Sequence, residues 1–171
     1  MFGFLMARDY QDWLKTLEGK RACDINKKTC QRCGHCCAKR PCIPTPRELH
    51  KIADFLGIPT KEAVKKYFLI DSFSSSPDGD KFIFPCKDTQ TDITGQYIEA
   101  ERTYDKGYCI FYDKIKKECK IHPVRPMDAR LYKCWKGETK YNPVKAWKNV
   151  DWSEFIDISD RNTIEKGAKT E

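Results

Sequence analysis

Apolar positions along this chain fall into short patterned blocks separated by turn residues, and each block predicts a small element. Tyr10, Trp13, Leu14 and Leu17 recur at helical spacing within residues 9–18 and Gly19 follows, so a short amphipathic helix is expected there. Thr45-Pro46-Arg47-Glu48 is a helix start: Thr45 can cap, Pro46 suits the first helical position and Glu48 completes a capping box. Leu49, Ile52, Ala53 and Leu56 then share one face, and Gly57 ends the helix. Ile58-Pro59-Thr60 opens a second helix with Val64, Tyr67 and Phe68 at the same spacing. The pair reads as a helical hairpin covering a loop, in preference to a DNA-reading helix-turn-helix.

The pattern then changes period. Residues 72–80 read as a turn, 81–86 as a strand and 93–103 as another. Cys109-Ile-Phe-Tyr and Cys119-Lys-Ile-His look like two arms of a hairpin joined by residues 113–118, and residues 124–135 hold a helical turn ending near Cys134. Beyond Gly137 the chain has no cysteine but carries Tyr141, Trp147, Trp152 and Phe155, with Asp151 and Glu154 placed to cap a brief helix. Three regions follow: an N-terminal amphipathic helix in 1–22, a cysteine-cluster domain in 23–135 and an aromatic extension in 136–171. The extension either wraps back on the domain or docks on another protein, since Trp and Tyr are favoured anchors at interfaces.

Composition narrows the class. A chain of 171 residues suits one domain, and 40% hydrophobic against 33% charged residues leaves a lean core. No apolar run approaches the roughly eighteen residues a membrane span needs. The opening MFGFLMARDY places its first basic residue, Arg8, after a short apolar patch, the reverse of a secretory signal, so a cytoplasmic location is expected. Ten cysteines in a reducing compartment are not expected to form disulfide staples, and idle thiols are an oxidation liability. Metal binding accounts for the number.

The charge of +7 sharpens that reading. Residues 136–171 carry seven basic and seven acidic side chains, so the surplus lies upstream, densest over residues 20–47, where eight basic residues face only Asp24. A basic stretch invites a nucleic-acid reading. Thiolate sites offer a competing cause: four sulfurs on a dication leave a net −2, and two such sites would lower the total to about +3.

Cys30-x2-Cys33-x2-Cys36-Cys37 is the most specific signal. On a regular helix these positions would spread around the axis, so the run must bend as a loop with backbone amides turned toward the sulfurs. Three cysteines at this spacing with a distant fourth is the ferredoxin manner of holding a [4Fe–4S] cluster, whereas structural zinc more often uses separated C-x2-C pairs. An iron–sulfur cluster is therefore the expected cofactor, with zinc as the alternative. Neighbouring side chains diverge, so Cys37 serves a second metal or backs the first. Cys86, Cys109, Cys119 and Cys134 are the further candidates, giving eight ligands in all and leaving Cys23 and Cys42 spare.

These residues, with the Thr-Pro-x-Glu helix ending in Leu-Gly, Cys109-Ile-Phe-Tyr, Cys119-Lys-Ile-His and Val-Arg-Pro, resemble the YkgJ-type CxxCxxCC family over about residues 25–135. That family is described as zinc- or iron-chelating and includes the flagellin lysine N-methylases. The resemblance implies a site built from Cys30, Cys33, Cys36, Cys37, Cys109 and Cys119. It also implies a cysteine where this chain has Ala129, a place that Cys134 or Cys86 could take, or that leaves a coordination position open. His35 and His122 are minor ligand candidates, His50 is expected to be solvated, and Arg125 and Arg130 are placed either to donate to cluster sulfurs or to pair with carboxylates.

Catalytic signatures are missing: no G-x-G-x-x-G after a strand, no P-loop and no G-x-S-x-G. The C-x3-C-x2-C pattern of radical enzymes fails because position 40 is Arg. The expectation is a small, irregular α+β protein organised around bound metal, with a helical hairpin and a few short antiparallel strands. Its expected role is that of a redox- or oxygen-responsive accessory subunit of a protein complex, or an electron carrier. A lysine N-methyltransferase-like enzyme and a zinc-binding structural or DNA-binding module are the alternatives.

Overall fold

In the computed structural model of the chain, residues 31–32, 34, 37, 42–72, 80–98, 102, 105–132 and 141–157 are described. The helix expected within residues 1–22 lies outside them.

Helix α1, Pro46–Leu56, begins as its sequence requires. Thr45 takes an extended conformation, its Oγ1 accepts from the Glu48 N–H, and the Glu48 carboxylate accepts from the Thr45 N–H at 2.9 Å. Such a cap contributes about 1 kcal/mol. Leu49, Ile52 and Ala53 are buried, and the helix ends at Gly57, whose φ of 70° is the left-handed region a side chain would resist. Helix α2, Thr60–Tyr67, buries Ala63 and Val64.

Phe68 does not continue α2. It adopts φ −127°, ψ 159° and opens strand β1, Phe68–Ser72, paired antiparallel with β2, Lys81–Pro85. The physical reason is the run Phe68-Leu69-Ile70. A two-turn surface helix buries one stripe, whereas an inner strand buries both faces, and all three residues are 0–1% exposed. Ile70 faces Ile83 in the register, and residues 96–98 lie parallel along the other edge of β1, Ile70 N donating to Gln96 O and Ile98 N to Ile70 O. Of the strand expected over residues 93–103, the described residues form this short piece, and the chain around Gly95 turns through Gln90–Ile93 and Ile93–Gln96 bonds.

A second sheet is minimal: β3, Tyr112–Asp113, pairs antiparallel with β4, Glu118–Cys119. After a 3-10 turn at His122–Val124 comes helix α3, Met127–Leu131. Among the described residues these few helices and two small antiparallel sheets make an α+β arrangement.

The core gathers Phe68, Leu69, Ile70, Phe82, Ile83 and Phe84 from the first sheet with Leu49, Ile52 and Val64 from the helices. Residues 141–157 lie on it. Val144, Trp147, Phe155 and Ile156 are buried, and the Trp147 Nε1–H donates to the Pro44 carbonyl at 2.8 Å. Trp147 stacks on Trp152 and meets Phe155 edge-on, with centroids 5.4 and 5.1 Å away.

Candidate metal centre

Strand β2 does not end its usefulness at Pro85. Residues 86–88 pair with 108–110 around an antiparallel Lys87–Cys109 bridge: Asp88 N donates to Tyr108 O, and Ile110 N to Cys86 O at 2.9 Å. This carries Cys109 to the edge of the core. The fully buried Gln90 fixes the loop around it, accepting from Lys87 N and donating to Arg102 O at 2.6 Å.

Cys109 then bonds directly to the cysteine loop, its N–H donating to the Cys37 carbonyl at 2.7 Å. A turn closes as Tyr112 N donates to Cys109 O, and the β3–β4 register puts Tyr112 opposite Cys119. Tyr112 also reaches back, its hydroxyl donating to the Arg32 carbonyl at 3.1 Å. The loop accommodates this because position 34 is glycine: a Cβ there would sit 2.7 Å from the Tyr112 ring, and φ is +77°. Arg32, with φ 51°, is left-handed as well, so the chain between the cysteines does not run as a regular helix.

Of the eight predicted ligands, the structure brings Cys37 to Cys109 through the backbone, places Cys119 across from Tyr112, and sets Cys86 beside the same bridge. Cys30, Cys33, Cys36 and Cys134, and also His35, lie outside the described residues. Cys86 is 0% exposed within the apolar core, and burial pushes its thiol up to about 12. Cys42 is half-buried and precedes Ile43, whose N–H donates to Asp128. Among the described residues no group of three or more His, Cys, Asp or Glu side chains is arranged to hold a metal ion. The donor set fits thiolate-seeking metals only when the described cysteines are combined with the others of the C-x2-C-x2-C-C run.

Around these cysteines the charge is positive. His122 is exposed and contacts the Arg125 guanidinium, while Arg130 is tied down by bonds to the Arg125 and Pro123 carbonyls, each 2.9 Å. Burial, then the charges of Arg125, Arg32 and Arg130, hold the His122 ring below the usual imidazole range. Those arginine contacts are with backbone and histidine. Ala129 sits in α3 directly after Asp128, a carboxylate 0% exposed that accepts from Ile43 N at 3.0 Å.

Sequence reasoning missed three supports. Asp128 was unread, although a carboxylate in the first turn of a short helix is a signal of capping. Glu48 serves twice, its second oxygen accepting from Met127 N at 2.8 Å, so one side chain caps α1 and α3 together. His50, expected to be solvated, is half-buried: Nδ1 bonds Thr60 Oγ1 at 2.8 Å, Nε2 lies 3.3 Å from Glu154, and the ring packs on Phe155.

The family description "CxxCxxCC: Putative zinc- or iron-chelating domain" matches residues 29–149. The chain belongs to the CxxCxxCC family. The match runs past the cysteines into the segment bearing Trp147, whose indole bonds Pro44, so the matched stretch includes part of the aromatic extension. A curated relative, uncharacterized protein MJ0661 of Methanocaldococcus jannaschii, is 34% identical over 102 residues, covering 60% of this chain and 42% of its own length. The chain thus corresponds to about two fifths of that relative. No solved structure matches the chain. No helix among the described residues is long and apolar enough to cross a membrane.

Proposed function

We propose that this CxxCxxCC domain holds an iron–sulfur cluster of the [4Fe–4S] kind on four thiolates drawn from Cys30, Cys33, Cys36, Cys37, Cys109 and Cys119, and that it serves a partner protein as a redox- or oxygen-responsive subunit or electron carrier. The observation that carries the reading is the 2.7 Å bond from Cys109 N to Cys37 O, which joins two cysteine segments seventy-two positions apart. Family membership supports zinc or iron as the metal. The three-cysteine spacing with distant further cysteines favours the cluster over zinc. Cys86 is enclosed by the core, which favours Cys134 for the place that Ala129 leaves without a sulfur.

A bound cluster would supply a one-electron couple sensitive to oxygen. The chain's own part is to gather thiolates, to offset their charge with Arg32, Arg125 and Arg130, and to link the loop to the fold through Tyr112 and Cys109. Loss of the ligated state would loosen the loop and alter the surface a partner meets.

Anaerobic purification followed by iron, acid-labile sulfide and zinc counts per chain and a visible spectrum tests the cofactor. Iron and sulfide in equal amounts with a broad visible band support it, and a colourless zinc protein without sulfide replaces the cluster by zinc. A folded, metal-free chain from an air-free preparation overturns chelation itself. Air exposure should then change metal content and partner binding together.

A further inference from the structure

Among the described surfaces, the tip of the β3–β4 hairpin combines features that no other part of the fold uses. Ile115 is 94% exposed, against 39–48% for Phe55, Met127 and Leu131. A lone exposed isoleucine is ordinary. Its company is not. Lys116, Lys117 and Lys120 flank it and form no ion pair among the described residues, whereas Lys114 is engaged, 2.6 Å from Asp88 and over the Tyr108 ring.

The tip is also held in shape. Asp113 Oδ1 accepts from both Ile115 N and Lys116 N at 2.9 Å, which consumes that carboxylate oxygen on the turn itself. Lys117 occupies the left-handed region at φ 54°, a conformation that costs a side chain about 1 kcal/mol. A preformed turn loses little entropy when it is gripped.

We propose that this tip is the contact for a protein partner whose surface offers an apolar pocket rimmed by carboxylates, Ile115 entering the pocket and Lys116, Lys117 and Lys120 meeting the rim. This rests on the partner reading above and names the chemistry of that partner. Charge complementarity sets the rim: three cations, Lys116, Lys117 and Lys120, stand against two carboxylates at the turn, Asp113 and Glu118, and Asp113 Oδ1 is held by the turn's own backbone. A membrane is disfavoured because one aliphatic side chain, with no aromatic neighbour at the tip, inserts little apolar area. Nucleic acid is disfavoured because the tip has no ring to stack on a base and carries Asp113 and Glu118. The contact would also bear on the metal centre, since the register sets Tyr112 opposite Cys119 and Tyr112 holds the loop at Arg32.

The test uses the full chain in the cells that make it, with Ile115 replaced by the photo-crosslinking residue benzoylphenylalanine, alone and together with Lys116→Glu and Lys117→Glu. A discrete adduct whose crosslinked peptide is apolar and flanked by Asp or Glu is expected, falling about tenfold on double charge reversal. Purified chain is assayed beside it on phosphatidylserine vesicles and on duplex DNA, with and without Ile115→Ser. No adduct, an adduct indifferent to charge reversal, or vesicle or DNA binding lost with Ile115→Ser overturns the proposal. Metal counts on the same samples separate the two readings. Unchanged metal with a lost adduct assigns the effect to the tip, and metal absent throughout defeats chelation while the adduct still judges the tip.

Discussion

The α1–β2 region and the cysteine-bearing region from residue 105 to 125 are neighbours built on different physics. In the first, Leu49, Ile52, Phe68, Leu69, Ile70, Phe82, Ile83 and Phe84 are 0–1% exposed and surround one another. In the second, only Phe111 and Ile121 are buried, the strands are two residues each, and the rest is turns, lysines and cysteines. Burial at about 25 cal/mol per Å² stabilises the first by itself. It cannot do the same for the second, which leans on hydrogen bonds to the first and, on the function proposed above, on a metal held by its sulfurs. The lesson is that one short chain can keep a core held by burial and hang on it a cysteine-bearing segment whose order, on the function proposed above, depends on bound metal.

The sharpest break of that contrast lies in the core. Phe84→Ala removes a ring packed 5.8 Å from Phe82 and should cost about 3–5 kcal/mol, read as a lower midpoint in urea. Both regions should unfold together, because Cys109 is hung on the continuation of β2. If the cysteine region kept its amide protection in this variant, it would be the independent unit and the contrast would reverse.

Next in size is the bond that ties α3 to the segment leading into α1. Asp128→Ala strips the Ile43 N–H of its buried acceptor, which should cost about 1–3 kcal/mol. Asp128→Asn, which retains an acceptor oxygen, should recover part of the loss. Equal destabilisation by both would mean that the negative charge, rather than the bond, is what the site needs.

A smaller and more local effect is expected at Gly34. Gly34→Ala adds a Cβ at φ +77° against the Tyr112 ring, a local strain of more than about 1 kcal/mol. Urea unfolding of the α1–β2 region should barely move, while metal per chain falls. Full metal content in this variant would show that the loop reaches its cysteines without the Tyr112 contact.

How much of this could be read beforehand follows the same division. The caps of α1, its buried face and the antiparallel hairpin near residues 109–122 were legible, because each depends on residues close in sequence. The end of α2 was not. Phe68 fits helical spacing, and only the partner strand, whose register sets Phe68 opposite Pro85, turns it into β1. Glu48 as a cap for α3, seventy-nine positions on, and Asp128 beneath Ile43 were invisible for the same reason: their partners are set by the tertiary fold. At the candidate centre, the cysteines announced themselves by spacing, whereas Tyr112 and Gly34, which hold the loop to the hairpin, carry no local pattern at all.

The least effect should come from the charges that close the aromatic segment over α2. Asp157 lies 2.5 Å from Lys65 and 3.4 Å from Lys61, and these ammonium groups hold its carboxyl below the usual carboxylate range. The native state therefore binds fewer protons than the unfolded one between the two values. Its contribution is present above the unfolded carboxylate range and is lost as pH falls through the folded value. All three side chains are about half exposed, so the pairs are screened and weak. Asp157→Asn should lower the thermal midpoint slightly at neutral pH and low salt, and the difference should vanish in acid or in high salt. A difference that survived in acid would mean that Asp157 acts by packing against the core rather than by its charge, and the aromatic segment would then be fastened as the core is, through burial.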